Sequence, residues 1–213
     1  MNITLDNVIP HPLSTISHNT DSIWGNHVLL EKGKKILLNA SSGKGKSTFT
    51  LTSIGLRNDY NGNVFYDGHD IKQFTPEEWT ELRSKVISVV FQDLQIFPKL
   101  KVRENLLIKN KLTNCFSEKE IKDKLDYLGI GDKWDQECGL LSMGQQQRVA
   151  ILRALCQPYE WLIMDEPFSH LDKENTSKCL ELINARTLEQ GAGFVLTTLG
   201  DDHGFHYDQE LKL

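Results

Sequence analysis

Asn39-Ala40-Ser41-Ser42-Gly43-Lys44-Gly45-Lys46-Ser47-Thr48 follows the apolar run Ile36-Leu37-Leu38 and precedes a segment that reads as helix, which puts it at a strand-to-helix turn. In that setting it is a phosphate site. Glycines 43 and 45 let backbone N–H groups converge on phosphate oxygens, and the helix N-terminus adds a positive partial charge. Lys46 has the reach for β- and γ-phosphates, and the Ser47 hydroxyl suits magnesium. The pattern is G-x-x-x-x-G-K-[ST] with Ala40 in place of its first glycine. If that turn residue needed positive φ, alanine would cost about 1 kcal/mol. Ala40, Ser41, Ser42, Gly43, Lys44, Gly45, Lys46, Ser47 and Thr48 are therefore the candidate phosphate-binding residues, Lys44 reading more readily as a solvated side chain.

At 213 residues the chain is one large domain or a core carrying an inserted subdomain. Charged residues make up 25% and the net charge is −5, interspersed along the sequence, which argues against nucleic acid as the main partner. The four cysteines, at 115, 138, 156 and 179, form no C-x-x-C pair and read as reduced, partly buried thiols. Met1-Asn2-Ile3-Thr4-Leu5-Asp6 carries neither a basic leader nor an apolar h-region, and no apolar run nears the roughly 18–20 residues that span a bilayer. The expectation is a soluble, cytoplasmic chain whose membrane role, if any, comes through a partner.

Outward from the phosphate loop, Ile3 to Val8 alternates weakly as a strand, and Glu31-Lys32-Gly33-Lys34 is a turn signal. After the loop, Phe49, Leu51, Ile54 and Leu56 continue a helix that Gly55 and Arg57-Asn58-Asp59 close. Asn61-Gly62 predicts a type I′ hairpin, followed by Val64, Tyr66 and a further turn at Asp67-Gly68. Thr75-Pro76-Glu77-Glu78 opens a helix with an N-cap, a first-position proline and a capping glutamate. Val86-Ile87-Ser88-Val89-Val90-Phe91 is then a buried strand with Gln92 at its C-terminal end, where ligands meet an open α/β sheet. From Asp93 to Pro158 strand signals disappear, with helices after Ser117 and over Met143 to Cys156. Trp161-Leu162-Ile163-Met164 delivers the adjacent carboxylates Asp165 and Glu166 to a strand end, which is costly unless a metal or substrate uses them. A helix over Lys173 to Gln190 and a strand over Phe194-Val195-Leu196-Thr197-Thr198 follow.

Leu141-Ser142-Met143-Gly144-Gln145-Gln146-Gln147-Arg148 is similar to the signature L-S-G-G-Q followed by Q-Q-R of ABC transporter ATP-binding subunits. Phosphate loop, Gln92, signature, Asp165-Glu166 and Ser169-His170-Leu171-Asp172 occur in that family's order, and the resemblance covers essentially the full length. It implies an α/β fold: a P-loop NTPase core with a mainly parallel sheet, an antiparallel β-subdomain and an inserted α-helical subdomain. The whole chain 1–213 would be one nucleotide-binding domain, with its core in 1–92 and 158–213 and the helical subdomain in 93–157. The cofactors implied are ATP and Mg2+. Ser47, Gln92 and Asp165 would hold the metal, and Glu166 would orient or deprotonate the attacking water, with Lys46 stabilising charge. Ser142, Gly144 and Gln145 would meet the γ-phosphate of ATP held by a second cassette, unless Ser142 is a plain helix cap.

The implied partners are that second cassette, a copy or a distinct chain, and a transmembrane permease subunit. The loop with Phe97-Pro98 resembles the region that meets it at the inner face of the plasma membrane. The short length, with the stretch from Phe97-Pro98 to Val102-Arg103-Glu104-Asn105-Leu106, loosely resembles lipoprotein-release, macrolide-export and cell-division cassettes. Against the family pattern, Met143 replaces the first signature glycine, and Thr198 stands where a switch histidine is usual. A hydroxyl can bond phosphate but carries no charge, and His203 serves only if its loop bends back. His18 is the adenine-stacking candidate by spacing, and Trp24 the alternative. These departures also favour a rival reading: an ATP-dependent regulatory or assembly clamp with slow or no hydrolysis.

Overall fold

A computed structural model describes all 213 residues. Strands β1 (Ile3–Pro10), β2 (His27–Leu30) and β3 (Lys35–Asn39) precede helix α1 (Lys46–Ser53). Strands β4 (Tyr60–Tyr66) and β5 (His69–Asp70) lead to α2 (Pro76–Lys85) and β6 (Ile87–Val90). Helices α3 (Val102–Thr113), α4 (Glu118–Tyr127) and α5 (Met143–Leu155) follow without an intervening strand. Then come β7 (Trp161–Asp165), α6 (Lys173–Glu189), β8 (Gly193–Thr198) and β9 (Gln209–Lys212).

The strands form two sheets. One is antiparallel, in the order β2-β1-β4-β5; the other is parallel throughout, in the order β6-β7-β8-β3-β9. Parallel strands covered on both faces need apolar side chains at every position, and β7 and β8 are buried along their whole length. The two-residue period of a strand deals these side chains to two cores. Leu37, Leu162, Met164, Phe194 and Leu196 face a core built with α3, α4, α5 and α6. Ile36, Leu38, Trp161, Ile163 and Val195 face a second core with the antiparallel sheet and Phe49 of α1. The helices of the middle third thus share one continuous apolar interior with the sheet.

Capping follows the sequence closely. Thr75, Ser117 and Ser142 each form a reciprocal capping box with Glu78, Glu120 and Gln145. The Asn61-Gly62 hairpin does not form: β4 runs straight through both residues. Gly62, at φ 80°, instead faces the bulge between Asp6 and Ile9 of β1, where a Cβ would come within 2.3 Å of the Asn7 carbonyl oxygen. The glycine is required by close backbone approach, and the hairpin turn is Asp67-Gly68, both at positive φ. At the join between β6 and the helical segment, Leu94 and Gln95 are consecutive left-handed residues (φ 61° and 47°), and the Arg153 guanidinium donates to the Leu94 carbonyl at 2.9 Å.

Candidate functional site

The candidate residues gather at the C-terminal edge of the parallel sheet, where the register aligns Asn39 with Thr198 and Asp165 with Thr197. Beyond β3 the loop turns through Gly43 (φ 77°) and Gly45 (φ 100°), conformations an L side chain resists, and Gly45 caps α1. Ala40 is not at positive φ, so the cost anticipated for it does not arise. Its N–H donates to the Thr198 carbonyl at 3.1 Å, and its own carbonyl accepts from the Lys46 ammonium at 3.0 Å. That ammonium is buried, also donates to the Ser41 carbonyl at 3.2 Å, and lies 3.3 Å from Glu166 Oε1.

Trp24 lies beneath this loop. It is buried, its indole N–H donates to the Lys44 carbonyl at 3.2 Å, and its ring packs against Gly45, which makes it a floor for the loop within the second core. His18 sits close by through Leu13: its Nε2 donates to the Leu13 carbonyl at 3.0 Å, and the Leu13 side chain touches the space at Gly45.

At the end of β7, Asp165 is buried and accepts from the Thr197 hydroxyl at 2.8 Å, while that same hydroxyl accepts from the Glu166 N–H at 3.2 Å. Glu166 is left-handed, at φ 48°. This kink lets neighbouring carboxylates diverge: Asp165 faces one cavity with Ser47 and Gln92, and Glu166 lines another with Thr198 and His203. The Ser47 hydroxyl donates to Gln92 Oε1 at 3.4 Å. Ser47, Gln92 and Asp165 are hard oxygen donors and too few to cage a metal unaided, which fits a magnesium ion completed by phosphates and water.

At α5, Ser142 and Gln145 are spent on each other as cap partners, which leaves the backbone N–H groups of the first turn as the anion-directed feature. Met143 is half exposed. Gly144 lies against the Ser169–Asp172 loop, where a Cβ would be 2.8 Å from the His170 carbonyl oxygen. Gln147, fully buried, belongs to the Q-Q-R stretch of the signature, which assigns it no role of its own. Its amide donates to the Ser169 hydroxyl at 3.2 Å and its Oε1 accepts from the His170 N–H at 3.0 Å. It thereby ties the signature helix to the loop that follows Glu166. The available signal was a third consecutive glutamine on a helix otherwise buried along that face.

A model of the family described as "ABC transporter" matches residues 25–169, from just ahead of β2 to Ser169, three residues beyond Glu166. The chain belongs to the ABC transporter family. The lipoprotein-releasing system ATP-binding protein LolD 1 of Rhodopseudomonas palustris is 31% identical over 199 residues, covering 91% of this chain and 88% of its own. Among solved structures, the dimeric bacterial ABC transporter cassette MJ0796 superposes with a TM-score of 0.82 at 25% identity, covering 99% of this chain and 94% of that one. The same cassette as a post-hydrolysis dimer bound to ADP and Pi gives a TM-score of 0.75 at 26% identity, over 93% and 88% of the two chains. The chain is an ATP-binding cassette of the ATP-hydrolysing type.

Within this ABC cassette, Thr198 ends β8 with its hydroxyl engaged in the next turn. It accepts from the N–H groups of Gly200 at 3.3 Å and Asp201 at 3.1 Å, and donates to the Asp201 carbonyl at 2.8 Å. The loop beyond does bend back. His203, at φ 55°, stacks edge-on against Phe168 at 5.0 Å, lies 3.4 Å from Asp201 Oδ2, and lines the roughly 640 Å³ cavity that Glu166 also lines. Cys138, Cys156 and Cys179 are buried, and burial pushes their thiols up to about 11, 12 and 12, which leaves them protonated and inert. No helix is long and apolar enough to cross a membrane.

Proposed function

We propose that this cassette binds ATP with magnesium, pairs head to tail with a second cassette around it, and drives a separate transmembrane permease by hydrolysis. The observation that carries the reading is the convergence of Lys46 and Glu166 at the sheet edge: a buried ammonium from the phosphate loop 3.3 Å from the carboxylate just beyond β7. An ammonium among loop N–H groups suits the β- and γ-phosphates, and a carboxylate beside it is placed to hold a water for in-line attack. Ser47, Gln92 and Asp165 would hold the magnesium ion, which when bound neutralises charge between the phosphates.

The first turn of α5, with Met143 outward and Gly144 against the Ser169–Asp172 loop, supplies the face that a second cassette's nucleotide would meet. We place the catalytic core in 1–92 and 158–213, with 93–157 as the helical subdomain carrying that face. With no spanning helix of its own, the cassette would sit at the cytoplasmic face of the membrane through its permease, as the name of the lipoprotein-releasing relative suggests.

The test is steady-state ATP hydrolysis by the purified chain beside Glu166→Gln, with light scattering in ATP and magnesium. Turnover abolished by the substitution, together with a dimer trapped by it, supports the reading. A chain that binds ATP yet neither turns over nor dimerises, alone or with its permease, overturns it.

A further inference from the structure

The cavity of about 640 Å³ that Glu166 lines is walled largely by polar groups already engaged within the chain. The Thr197 hydroxyl serves Asp165 and the Glu166 N–H, and the Ser169 hydroxyl serves Gln147 and His170. The Thr198 hydroxyl is taken by the N–H groups of Gly200 and Asp201 and by the Asp201 carbonyl. His203 is different. Its Nδ1 lies 3.4 Å from Asp201 Oδ2, whereas its Nε2 has no partner in the chain. The side chain is only 19% exposed, so the ring is sheltered in the cavity wall. Lys173, the other cation lining the cavity, is exposed at the start of α6 and no contact fixes it.

His203 is gripped from several sides. Asp201 Oδ1 accepts from its backbone N–H at 2.7 Å while Oδ2 faces its ring, and Phe168 meets the ring edge-on at 5.0 Å. Asp201 is 74% exposed, so this pairing orients the imidazole more than it stabilises the fold. His203 and Gly204 are both left-handed, at φ 55° and 66°, a conformation that a residue with a Cβ adopts only when its surroundings hold it there. Thr198 braces the loop from beneath. Its hydroxyl holds Gly200 and Asp201, and its carbonyl accepts from the Ala40 N–H, so phosphate loop and imidazole are fixed to one residue.

We propose that His203, carried as an imidazolium, donates from Nε2 to the γ-phosphate of ATP during hydrolysis, with Asp201 and Thr198 as its positioning residues. Electrostatics call for a cation there. Glu166 and Asp201 line the same cavity, and two carboxylates near a phosphate are repulsive unless a positive group stands among them. A protonated imidazole donates from both nitrogens, Nδ1 to Asp201 and Nε2 outward. As the water oxygen bonds to the γ-phosphorus and the bond to the β-phosphate oxygen breaks, Glu166 takes the water's proton and His203 keeps its own. Its N–H bond strengthens where charge builds, which acts on turnover more than on binding. The inference rests on the reading above that Glu166 acts on ATP held at Lys46.

The test measures kcat and KM for ATP hydrolysis by the full chain, with labelled-nucleotide anisotropy in parallel. His203→Ala should lower kcat by roughly 10²-fold or more with nucleotide affinity within about threefold of native. Added imidazole, or His203→Gln with its neutral N–H, should regain at least about fivefold of that loss. Thr198→Val should fall with His203→Ala, and Thr198→Ser, which keeps the hydroxyl brace, should stand at least about tenfold above it. Equal turnover of the two Thr198 variants overturns the positioning role. Native kcat in His203→Ala, an affinity loss as large as the loss of turnover, or recovery by neither imidazole nor His203→Gln overturns the inference; a misfolded chain would not answer to imidazole. Native turnover that is absent, or indifferent to Glu166→Gln, sinks the hydrolysis reading and this inference with it. Turnover that needs Glu166 and ignores His203 sinks this inference alone.

Discussion

Lys46 Nζ stands 3.3 Å from Glu166 Oε1, a bond that ties the phosphate loop to the end of β7 across the intervening strand β8. Both side chains are largely withdrawn from water, so each is the other's principal charge partner. The pair assigns separable tasks. Lys46→Ala should abolish measurable ATP binding, read by fluorescence anisotropy of a labelled nucleotide, because the loop loses its cation. Glu166→Gln should bind ATP with little change yet lower turnover by roughly 10²–10⁴-fold, the usual worth of a positioned base. Equal losses of binding in both variants would contradict this division.

The left-handed backbone of Glu166 predicts an inversion of the normal ranking of alanine and glycine. A residue with a Cβ at φ 48° carries roughly 1–2 kcal/mol of steric cost that glycine avoids, against about 0.5–1 kcal/mol of chain entropy. Glu166→Gly should therefore be more stable than Glu166→Ala by up to about 1.5 kcal/mol in urea denaturation. Both lack the Lys46 contact, so the difference isolates the backbone.

Gln147 is predicted to act at a distance from the phosphates. Gln147→Leu fills the same buried volume but leaves the His170 N–H without its partner and the Ser169 hydroxyl with His170 Nδ1 alone. The expected result is a loss of about 1–3 kcal/mol in stability and reduced turnover at unchanged ATP affinity. Weakened ATP binding of the same size as the loss in turnover would show that its role lies in nucleotide binding.

Two glycines at positive φ separate clash from conformation. Gly62→Ala should cost roughly 2 kcal/mol or more, since its Cβ meets the Asn7 carbonyl at 2.3 Å as well as adopting the left-handed region. Gly68→Ala, at φ 84° with open space around it, should cost only about 1 kcal/mol. Equal melting temperatures for the two variants would refute the bulge contact.

Acid sensitivity should trace to helix caps. The Ser117 hydroxyl and backbone N–H both donate to Glu120 and hold its carboxyl below the ordinary 4.5. A carboxylate whose folded value is depressed contributes stability present above its unfolded value and lost as pH falls through the lower, folded one. The melting temperature should fall as pH drops below about 4.5, and less steeply for Glu120→Gln. An unchanged slope would place the acid-sensitive groups elsewhere.

The phosphate loop, the Asp165-Glu166 strand end and the capping boxes were legible because local chemistry decides them: glycine spacing, apolar run length, and a hydroxyl three residues before a glutamate or glutamine. Helix α3 was not resolved as an element. Its buried face includes Asn105 and Asn110, which bond to Phe97 and Phe116 backbone groups, so the apolar period that announces a helix is interrupted. Strand β9 was passed over for the opposite reason. It is a four-residue edge strand, Gln-Glu-Leu-Lys, half exposed, and its place is set by pairing to β3. Asn61-Gly62 carried a true glycine signal with the wrong cause, since a distant strand and not a turn requires it. The commitment of the Thr198 hydroxyl to Gly200 and Asp201 belongs to three-dimensional loop closure, which residue type alone does not express.

Leu94 and Gln95 have a mechanical consequence. Two successive side-chain-bearing residues in the left-handed basin cannot be straightened by small adjustments, because the ground between that basin and the extended one is sterically barred. Arg153 and Leu94 both lie within 93–157, so their bond travels with the helical segment and holds the left-handed pair against α5. The pair therefore acts as a stiff link, so that a displacement at the end of β6 is passed on to α5 rather than absorbed between them.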